Sequence, residues 1–309
     1  MTYYLGIDGG GSKTTCVVGD EVSQLATVTA GPSNITRVGE ARARESLKEA
    51  IREACTAAGI DPHQVQRTCV GVAGAGREEI ADTVRKIVAG IIPGDIEIVG
   101  DMEIALAAAF GEGPGVIVIG GTGSIAYGRD AQRRTARSGG WGFAISDEGS
   151  AHWIGRTAIS TLLRALDEED AYSAEASSLC REMKAAWNLH SLDELVRAAN
   201  FDADFPLLFP RVLAAADFGD ALAQRVLAQA GRELAQLAAI VARRLFSLGG
   251  ANAAIPLAMA GGVFLHSSAV RDVFRDEVHN LDSPLEVNPQ VVEPVAGALQ
   301  MARRSQQCD

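Results

Sequence analysis

The 309-residue sequence is short of positive charge. It has 28 Lys and Arg residues against 39 Asp and Glu residues, which gives a formal net charge of −11. A surface this acidic repels phosphate backbones and anionic headgroups, so binding to nucleic acid or to a membrane is disfavoured. An anionic nucleotide would have to be held by backbone dipoles and a metal ion instead of by a basic surface.

Closely spaced cysteines and long apolar runs are also missing. The five cysteines form no C-x-x-C pair, so the sequence predicts neither a zinc site nor a thiol redox pair. The five histidines have no metal-ligand spacing, and we expect them to serve in packing. No apolar run approaches the ~20 residues of a membrane span, and the first residues lack the layout of a signal peptide. We therefore expect a cytoplasmic protein.

Glycine, by contrast, is abundant, with 33 residues that often follow short apolar runs. Tyr3–Asp8 and Thr14–Val18 are predicted strands, joined by a glycine turn that begins at Gly9. The same strand, glycine turn and strand return later in the chain, at residues 116–119, 120–124 and 125–128. Two such copies predict a duplicated domain whose halves face each other across a cleft.

Hydrophobic periodicity predicts the other elements. Further strands are expected at residues 68–73, 95–99 and 255–260, and loops at 30–36 and 138–142. Helices are expected at residues 40–58, 78–89, 101–110, 220–248 and 295–304, with a further helix from about residue 266 and a mostly helical stretch over 149–220.

The run Gly9-Gly10-Gly11-Ser12-Lys13 resembles a P-loop only superficially. A Walker A loop requires Lys where Ser12 stands and opens a helix, whereas a strand follows here. We interpret the run as a hairpin turn whose N–H groups converge on a phosphate, because glycine accepts positive φ angles. The alternative is a tight turn that binds no ligand. The presence of two similar turns in the sequence disfavours this alternative.

Two aspartates lie at the carboxyl ends of predicted strands. Asp8 lies beside the first glycine turn, and it suits Mg²⁺ held through water; alternatively, it closes its own turn. Asp101 starts a predicted helix, where it is either an N-cap or the general base that accepts the proton of a substrate hydroxyl. The helix N-terminus is expected to keep this carboxylate ionised.

A polar and aromatic pair of loops follows the second copy. Trp141, Asp147 and, from the first half, Asn34 supply the aromatic face, carboxylate and amide that sugar recognition uses. Alternatively, Trp141 belongs to the hydrophobic core, and Asp147 with Glu148 caps the helix that follows.

These motifs, in this order, resemble those of the N-acetylglucosamine kinases and the wider BadF/BadG/BcrA/BcrD ATPase family. The resemblance spans nearly the whole chain, and its most specific part runs from Gly140 to Ala151. It implies an α/β, actin-like ATPase fold with two ribonuclease-H-like lobes around a nucleotide cleft. The lobes would comprise residues 1–112, with the helix at 293–309 packing back on them, and residues 113–292. It also implies ATP and Mg²⁺ as cofactors and a homodimer.

The resemblance assigns roles to individual residues. Asp101 matches the catalytic base. The positions that match ATP contacts are Gly10, Gly11, Ser12, Lys13, Gly121, Thr122, Gly123, Ser124, Gly261 and Gly262. The positions that match sugar contacts are Asn34, Gly74, Ala75, Asp101, Thr122, Gly140, Trp141, Asp147 and Ala151.

The predicted function is phosphorylation of an amino sugar at its 6-hydroxyl, with N-acetylglucosamine first and glucosamine second. Ile35, after Asn34, leaves the choice between amine and acetamide open. Alternatives are a kinase for N-acetylmuramic acid, an ATP-driven switch that acts on a protein partner, and a sugar sensor without activity. The scattered cysteines disfavour both the iron–sulfur activators and the zinc-containing sugar kinases.

Overall fold

The computed structural model describes residues 1–168, 176–201, 203–246, 254–281 and 284–304. The chain divides into two compact units. The first unit comprises Met1–Ile117, Arg129–Arg133 and Val292–Asp309, and the second comprises Val118–Gly128 and Arg134–Val291. Each unit is described by itself.

The strands are β1 (Tyr3–Gly9), β2 (Thr14–Gly19), β3 (Gln24–Ala30), β4 (Val65–Val72), β5 (Asp95–Gly100), β6 (Gly115–Gly120), β7 (Ser124–Arg129), β8 (Thr135–Gly139), β9 (Ile255–Ala260) and β10 (Leu285–Val292). The helices are α1 (Ile35–Ala58), α2 (Glu78–Ala89), α3 (Asp101–Phe110), α4 (Ala151–Glu168), α5 (Ser178–Ala186), α6 (Leu192–Asn200), α7 (Phe209–Asp217), α8 (Ala221–Leu245), α9 (Gly262–His266), α10 (Ser268–Asn280) and α11 (Pro294–Arg303).

The sheet of the first unit has the strand order β3-β2-β1-β4-β5. Strand β2 is antiparallel to β1 and to β3, whereas β4 is parallel to β1 and β5 is parallel to β4. The carboxyl ends of β1, β4 and β5 therefore meet at one edge of the sheet. This edge carries the residues that follow each of these strands, and it is where ligands commonly bind in α/β sheets.

Helix α1 begins at Ile35, five residues earlier than the periodicity predicts, and it is interrupted at Gly39. Gly39 has φ 77° and ψ 164°, so the first turn is offset from the rest of the helix. Beyond the break, buried apolar residues such as Leu47 and Ile51 pack in the core with Leu5 and Ile7 of β1. The first turn of α1 therefore points away from the axis of the helix body, and the helix body is the part that packs in the core.

The last helix, α11, packs in the first unit against α3 and the sheet. Ala298 and Ala302 form a buried cluster with Cys69 and Ile104, and Leu299 packs against Val17. The helices approach closely because position 297 is glycine: a Cβ there would collide with the carbonyl of Ile104.

The sheet of the second unit has the order β10-β9-β6-β7-β8. Read from β8, its strands follow the same order of third, second, first, fourth and fifth as the strands of the first sheet. The repeated glycine-turn pattern is therefore confirmed as a duplication of topology. The helical stretch predicted from residue 149 resolves into α4 to α7, although residues 169–175 and 202 lie outside the described part of the chain.

Helix α8 is long, with an extensive buried face of small and branched residues. Its predicted end at residue 248 falls outside the described residues, and the helix ends at Leu245. Within the described ranges, no helix combines the length and the apolar character needed to cross a bilayer.

Candidate active site

The first glycine turn, Gly10–Lys13, closes the hairpin between β1 and β2, as the sequence predicts. The N–H of Gly10 donates to the carbonyl of Lys13 over 2.9 Å. Among the residues that the structure describes, the N–H groups of Gly11 and Lys13 have no acceptor. The turn therefore offers backbone donors at the carboxyl end of β1, which suits an anionic ligand.

Asp8 lies just before this turn and is half-buried. Burial, and next the negative charge of Asp101, raise the pKa of Asp8 to about 7, while Lys13 lowers it. The pairing of Asp8 with Gly71 and of Gly71 with Val99 places both aspartates at the same edge of the sheet.

This donor set fits a magnesium ion. Mg²⁺ is commonly bound by one or two carboxylates together with waters and substrate phosphates. The negative charge of Asp101 disfavours ionisation of Asp8, and a divalent cation would relieve that repulsion.

Asp101 is the first residue of α3, and the N-cap is Gly100, so the interpretation of Asp101 as the cap is wrong. The N–H of Gly100 donates to Glu103 over 2.7 Å, and a carboxylate oxygen of Asp101 accepts from the N–H of Met102 over 3.0 Å. Burial raises the pKa of Asp101 more than the N–H of Met102 lowers it. The carboxylate is therefore more basic than an ordinary aspartate, which is the opposite of the direction in which the helix N-terminus alone would shift its pKa.

The segment that carries Asn34 is bound to the first glycine turn. The N–H groups of Ser33 and Asn34 both donate to the carbonyl of Gly10, over 3.1 and 3.2 Å. Arg37 donates to the carbonyl of Gly11 over 3.1 Å. Asn34 Oδ1 is buried, and none of the described residues donates a hydrogen bond to it. Because such an oxygen is costly to leave unpaired, this geometry suits a ligand that donates to it.

The loop after β4 reaches the same segment. It contains Gly74, whose φ of 82° requires a residue without a Cβ, and Ala75. A guanidinium nitrogen of Arg77 donates to Thr36 Oγ1 over 3.0 Å. The structure thus joins two stretches that the sequence places 41 residues apart. Sequence reasoning did not single out Arg77 or Thr36, because neither belongs to a recognisable motif.

In the second unit, the turn between β6 and β7 resembles the first one. The N–H of Gly121 donates to the carbonyl of Gly123 over 2.9 Å. The N–H of Ala151 donates to the carbonyl of Gly121 over 2.9 Å, so the start of α4 is attached to the turn. The hydroxyl of Ser124 donates to the carbonyl of Glu148 over 2.7 Å. The structure therefore brings these two predicted groups of site residues together.

Gly261 packs against the same turn. Its φ is 94°, and a Cβ at this position would collide with the carbonyl of Gly120. Gly262 follows as the first residue of α9. The predicted nucleotide contacts at Gly261 and Gly262 thus lie beside the second glycine turn.

Asp147 is buried in an unusual backbone conformation. Its φ is 68°, and a Cβ on Gly123 would lie 2.8 Å from its Oδ2 atom, so the carboxylate faces the second turn. A non-glycine residue in this region stores strain, which is common at functional sites. The hydroxyl of Ser150, at the start of α4, accepts from the N–H of Trp153 over 3.1 Å and serves as the helix cap.

Trp141 is 65% exposed, so the interpretation of this residue as part of the core is wrong. The guanidinium carbon of Arg137 lies 4.1 Å from the centre of the indole ring, which is a cation–π contact. Gly140, with φ 69°, precedes it in the loop. An exposed aromatic ring on a loop is available to a sugar face.

The chain is similar to known sugar kinases along its whole length. The model of the BadF/BadG/BcrA/BcrD ATPase family matches residues 5–302. The N-acetylmuramic acid/N-acetylglucosamine kinase of Clostridium acetobutylicum is 33% identical over 312 residues, which covers 100% of both chains. The glucosamine kinase GspK of Vibrio cholerae is 29% identical over 239 residues, covering 76% of this chain and 78% of the relative.

A solved structure supports the same grouping. The protein from Chromobacterium violaceum, provisionally named an N-acetylglucosamine kinase, superposes with a TM-score of 0.75 at 25% identity. The superposition covers 98% of this chain and 99% of that one. The two duplicated five-stranded sheets are those of the actin-like ATPase fold, as predicted. With this topology and a family match over almost every residue, the chain belongs to the BadF/BadG/BcrA/BcrD ATPase family.

Proposed function

We propose that this protein is an ATP-dependent kinase that phosphorylates an amino sugar at its 6-hydroxyl, with N-acetylglucosamine as the first candidate and glucosamine as the second. The observation that carries the proposal is the pair Asp8 and Asp101, half-buried at one sheet edge beside the first glycine turn. In this turn, the N–H groups of Gly11 and Lys13 have no acceptor among the described residues. The names of the relatives, all amino-sugar kinases, support the substrate class.

Asp101 is the proposed general base. Its carboxylate accepts the proton of the sugar hydroxyl while the hydroxyl oxygen bonds to the γ-phosphorus of ATP. The bond between that phosphorus and the β–γ bridging oxygen breaks, and ADP leaves. Because burial raises the pKa of Asp101, this carboxylate accepts a proton more readily than an exposed aspartate would.

Asp8 is the proposed residue on the metal side, where it would hold Mg²⁺ through water. A bound magnesium ion supplies positive charge that stabilises the phosphate oxygens. The N–H groups of Gly11 and Lys13, with the hydroxyl of Ser12 and the ammonium of Lys13, are proposed to hold phosphate oxygens.

The remaining ligand contacts are proposed from the family resemblance, and the structure's local geometry suits them. In the first unit, Asn34 offers a buried oxygen without a donor, and Gly74 and Ala75 lie in the loop that Arg77 joins to Asn34's segment. In the second unit, the proposed nucleotide contacts are Gly121, Thr122, Gly123, Ser124, Gly261 and Gly262. The proposed sugar contacts there are Thr122, Gly140, Trp141, Asp147 and Ala151.

A direct assay tests the reaction and its position. The protein is incubated with Mg²⁺, ATP and, separately, N-acetylglucosamine, glucosamine, N-acetylmuramic acid and glucose, and the product is analysed by ³¹P and ¹³C NMR. We expect phosphate on O6 of an amino sugar. ATP consumption that no sugar stimulates would instead favour a conformational switch, and sugar binding without ATP consumption would favour a sensor.

The variant Asp101→Asn tests the base. The amide cannot accept the proton, so we expect turnover to fall by roughly 10²- to 10⁴-fold, while ATP affinity changes little. The matched control is Asp95→Asn, at the opposite end of β5, where the side chain is exposed. Unchanged turnover in Asp101→Asn would remove this residue as the base.

The family resemblance also leads us to propose a homodimer. Sedimentation equilibrium over a range of protein concentrations measures the assembly directly. A mass equal to that of one 32.4 kDa chain at every concentration would contradict it.

A further inference from the structure

Arg77 occupies a distinctive position in the first unit. It precedes α2, and its guanidinium donates to Thr36 Oγ1 over 3.0 Å. A Cβ on Gly74 would lie 2.9 Å from the same nitrogen. The positive charge therefore lies against both loops that carry proposed sugar contacts, the one that follows Asn34 and the one that contains Gly74 and Ala75.

Within the described part of the chain, the guanidinium of Arg77 makes one hydrogen bond, to Thr36. Arginine has five N–H donors in a planar fork, and one nitrogen serves Thr36. Arg77 is exposed, and it has no ion-pair partner among the described residues, although Glu78 and Glu79 follow it in the chain. By comparison, Arg85 on α2 pairs with Asp82 over 3.0 Å. The chain has a net charge of −11 and many carboxylates, yet none of those described pairs with this arginine. Its charge is therefore available to an anionic group of a ligand bound beside the proposed sugar loops.

Asn34 adds a second requirement. Its Oδ1 atom is buried and needs a donor, which a sugar hydroxyl or amide N–H can supply. The fork of Arg77 suits an anionic acceptor with two oxygens. A neutral amino sugar satisfies Asn34 alone, whereas an amino sugar that carries a carboxylate on a side group satisfies both residues.

We propose that Arg77, held in place by Thr36, binds the carboxylate of an acidic amino sugar, so that this kinase accepts such a sugar beside N-acetylglucosamine and uses it better than its uncharged ester. The inference rests on the proposed function and assigns its specificity to one residue. N-acetylmuramic acid has this chemistry, and its name appears in that of the Clostridium acetobutylicum relative. The competing explanation is that Arg77 only ties the two loops together.

The test compares three sugars and three variants. The sugars are N-acetylmuramic acid, its methyl ester, which keeps the shape and removes the charge, and N-acetylglucosamine. The variants are Arg77→Gln, Thr36→Val and the control Arg85→Gln, which removes a charge elsewhere on the same unit. Equal melting temperatures establish that each variant is folded.

For the acid, we expect Arg77→Gln to lower kcat/KM by roughly 10- to 100-fold, mainly through KM, because a charge-assisted hydrogen bond is lost. For the ester and for N-acetylglucosamine, the change should stay within about threefold. Thr36→Val should give a smaller loss in the same direction, and Arg85→Gln should change none of the three values.

Two outcomes would overturn the inference while the proposed function stands: equal losses for all three sugars in Arg77→Gln, or a wild type that uses the acid no better than its ester. If the wild type phosphorylates none of the sugars, the proposed function itself fails. Calorimetric titration with N-acetylmuramic acid, without nucleotide, then decides the inference. Binding that Arg77→Gln weakens at least tenfold supports it, and binding that is absent or unaffected overturns it.

Discussion

Among the individual residues, Asp8 has a strongly altered acidity. Its carboxyl lies beside Asp101, and burial together with that neighbouring charge raises its pKa to about 7. Without a cation, the charge of Asp101 opposes ionisation of Asp8. The folded protein without ligand therefore holds ionised Asp8 in an unfavourable environment. Carboxylates with strongly shifted pKa values are common at functional sites.

The pH dependence of stability should report this cost. The pKa of Asp8 is near 3.8 when the chain is unfolded and about 7 when it is folded, so the folded state binds more protons between these values. The contribution of Asp8 to the free energy of unfolding should therefore fall as pH rises from about 4 to about 7. In Asp8→Asn, which does not titrate, this decline should disappear, and the variant should be more stable than the wild type at pH 8.

Urea unfolding in EDTA at pH 5 and pH 8 measures the effect. Asp95→Asn, which changes an exposed carboxylate, should keep the wild-type dependence on pH. Parallel pH profiles for Asp8→Asn and the wild type would contradict the raised pKa.

The sequence identified these two aspartates because each lies at the carboxyl end of an apolar strand. It could not identify Arg77, since its importance depends on a loop meeting Thr36, which lies far away along the chain. Nor could it show that Asp147 adopts a positive φ and faces Gly123. Contacts between loops depend on how the supporting elements pack, which no local pattern encodes.

At the scale of elements, α1 shows how a break inside a helix places a functional segment. Gly39 has backbone angles that are used almost only by glycine. No described atom lies within 4 Å of the position that a Cβ would take there. The break sets the turn that carries Thr36 and Arg37 at an angle to the helix body. Arg37 can then reach the carbonyl of Gly11.

Alanine substitutions at two glycines of this helix should separate backbone strain from crowding. Gly39 and the C-cap Gly59, with φ 69° and ψ 29°, both face open space. Gly39→Ala should lower the free energy of unfolding by about 2–3 kcal/mol, whereas Gly59→Ala, in the left-handed helical region, should lower it by about 1 kcal/mol. Urea titrations compare the two, and a larger loss for Gly59→Ala would contradict the argument.

The predictions succeeded where apolar residues recur strongly, as in α2 and in the edge strand β5, and they failed at the other three sheet edges. Helix α2 was predicted with its observed bounds, whereas β3, β8 and β10 were not predicted. All three are edge strands. An edge strand has exposed positions and less need for apolar residues, as in β3, and β10 even contains Pro289.

At the scale of the whole molecule, the first unit is completed by the last helix of the chain. Helix α11 buries Val295 and Leu299 against the sheet and brings Ala298 and Ala302 beside Ile104. Full burial of a Val or Leu side chain is worth about 1.5–3 kcal/mol. The helix as a whole therefore contributes an appreciable part of the roughly 5–15 kcal/mol that keeps a domain folded.

A chain that ends at Val292 should accordingly lose the fold of its first unit. We expect hydrogen exchange to show lost protection of β1 and β4, while α8 and β9 of the second unit remain protected. A synthetic peptide of residues 293–304, added in excess, should restore part of the protection. Retained protection of β1 in the shortened chain would contradict the role of α11.

The repeat of two glycine turns allowed the duplicated topology to be predicted from the sequence. The order of the strands confirms it, since both sheets place the first strand of the repeat in the middle. The exact bounds of the two units were harder to predict. The stretch Arg129–Arg133, at the carboxyl end of β7, belongs to the first unit, although β7 itself is a strand of the second sheet. Arg129 secures this stretch by donating to the carbonyls of Gly111 and Gly113, over 2.7 and 2.9 Å.

The late position of α11 has a consequence for protein synthesis. A ribosome releases Met1–Ile117 long before it has made Pro294–Arg303, and the intervening stretch takes roughly 10–35 s at ordinary elongation rates. During that time Ile104 and the sheet residues that α11 covers lack their partner. During this interval the incomplete first unit exposes apolar surface to which a chaperone can bind.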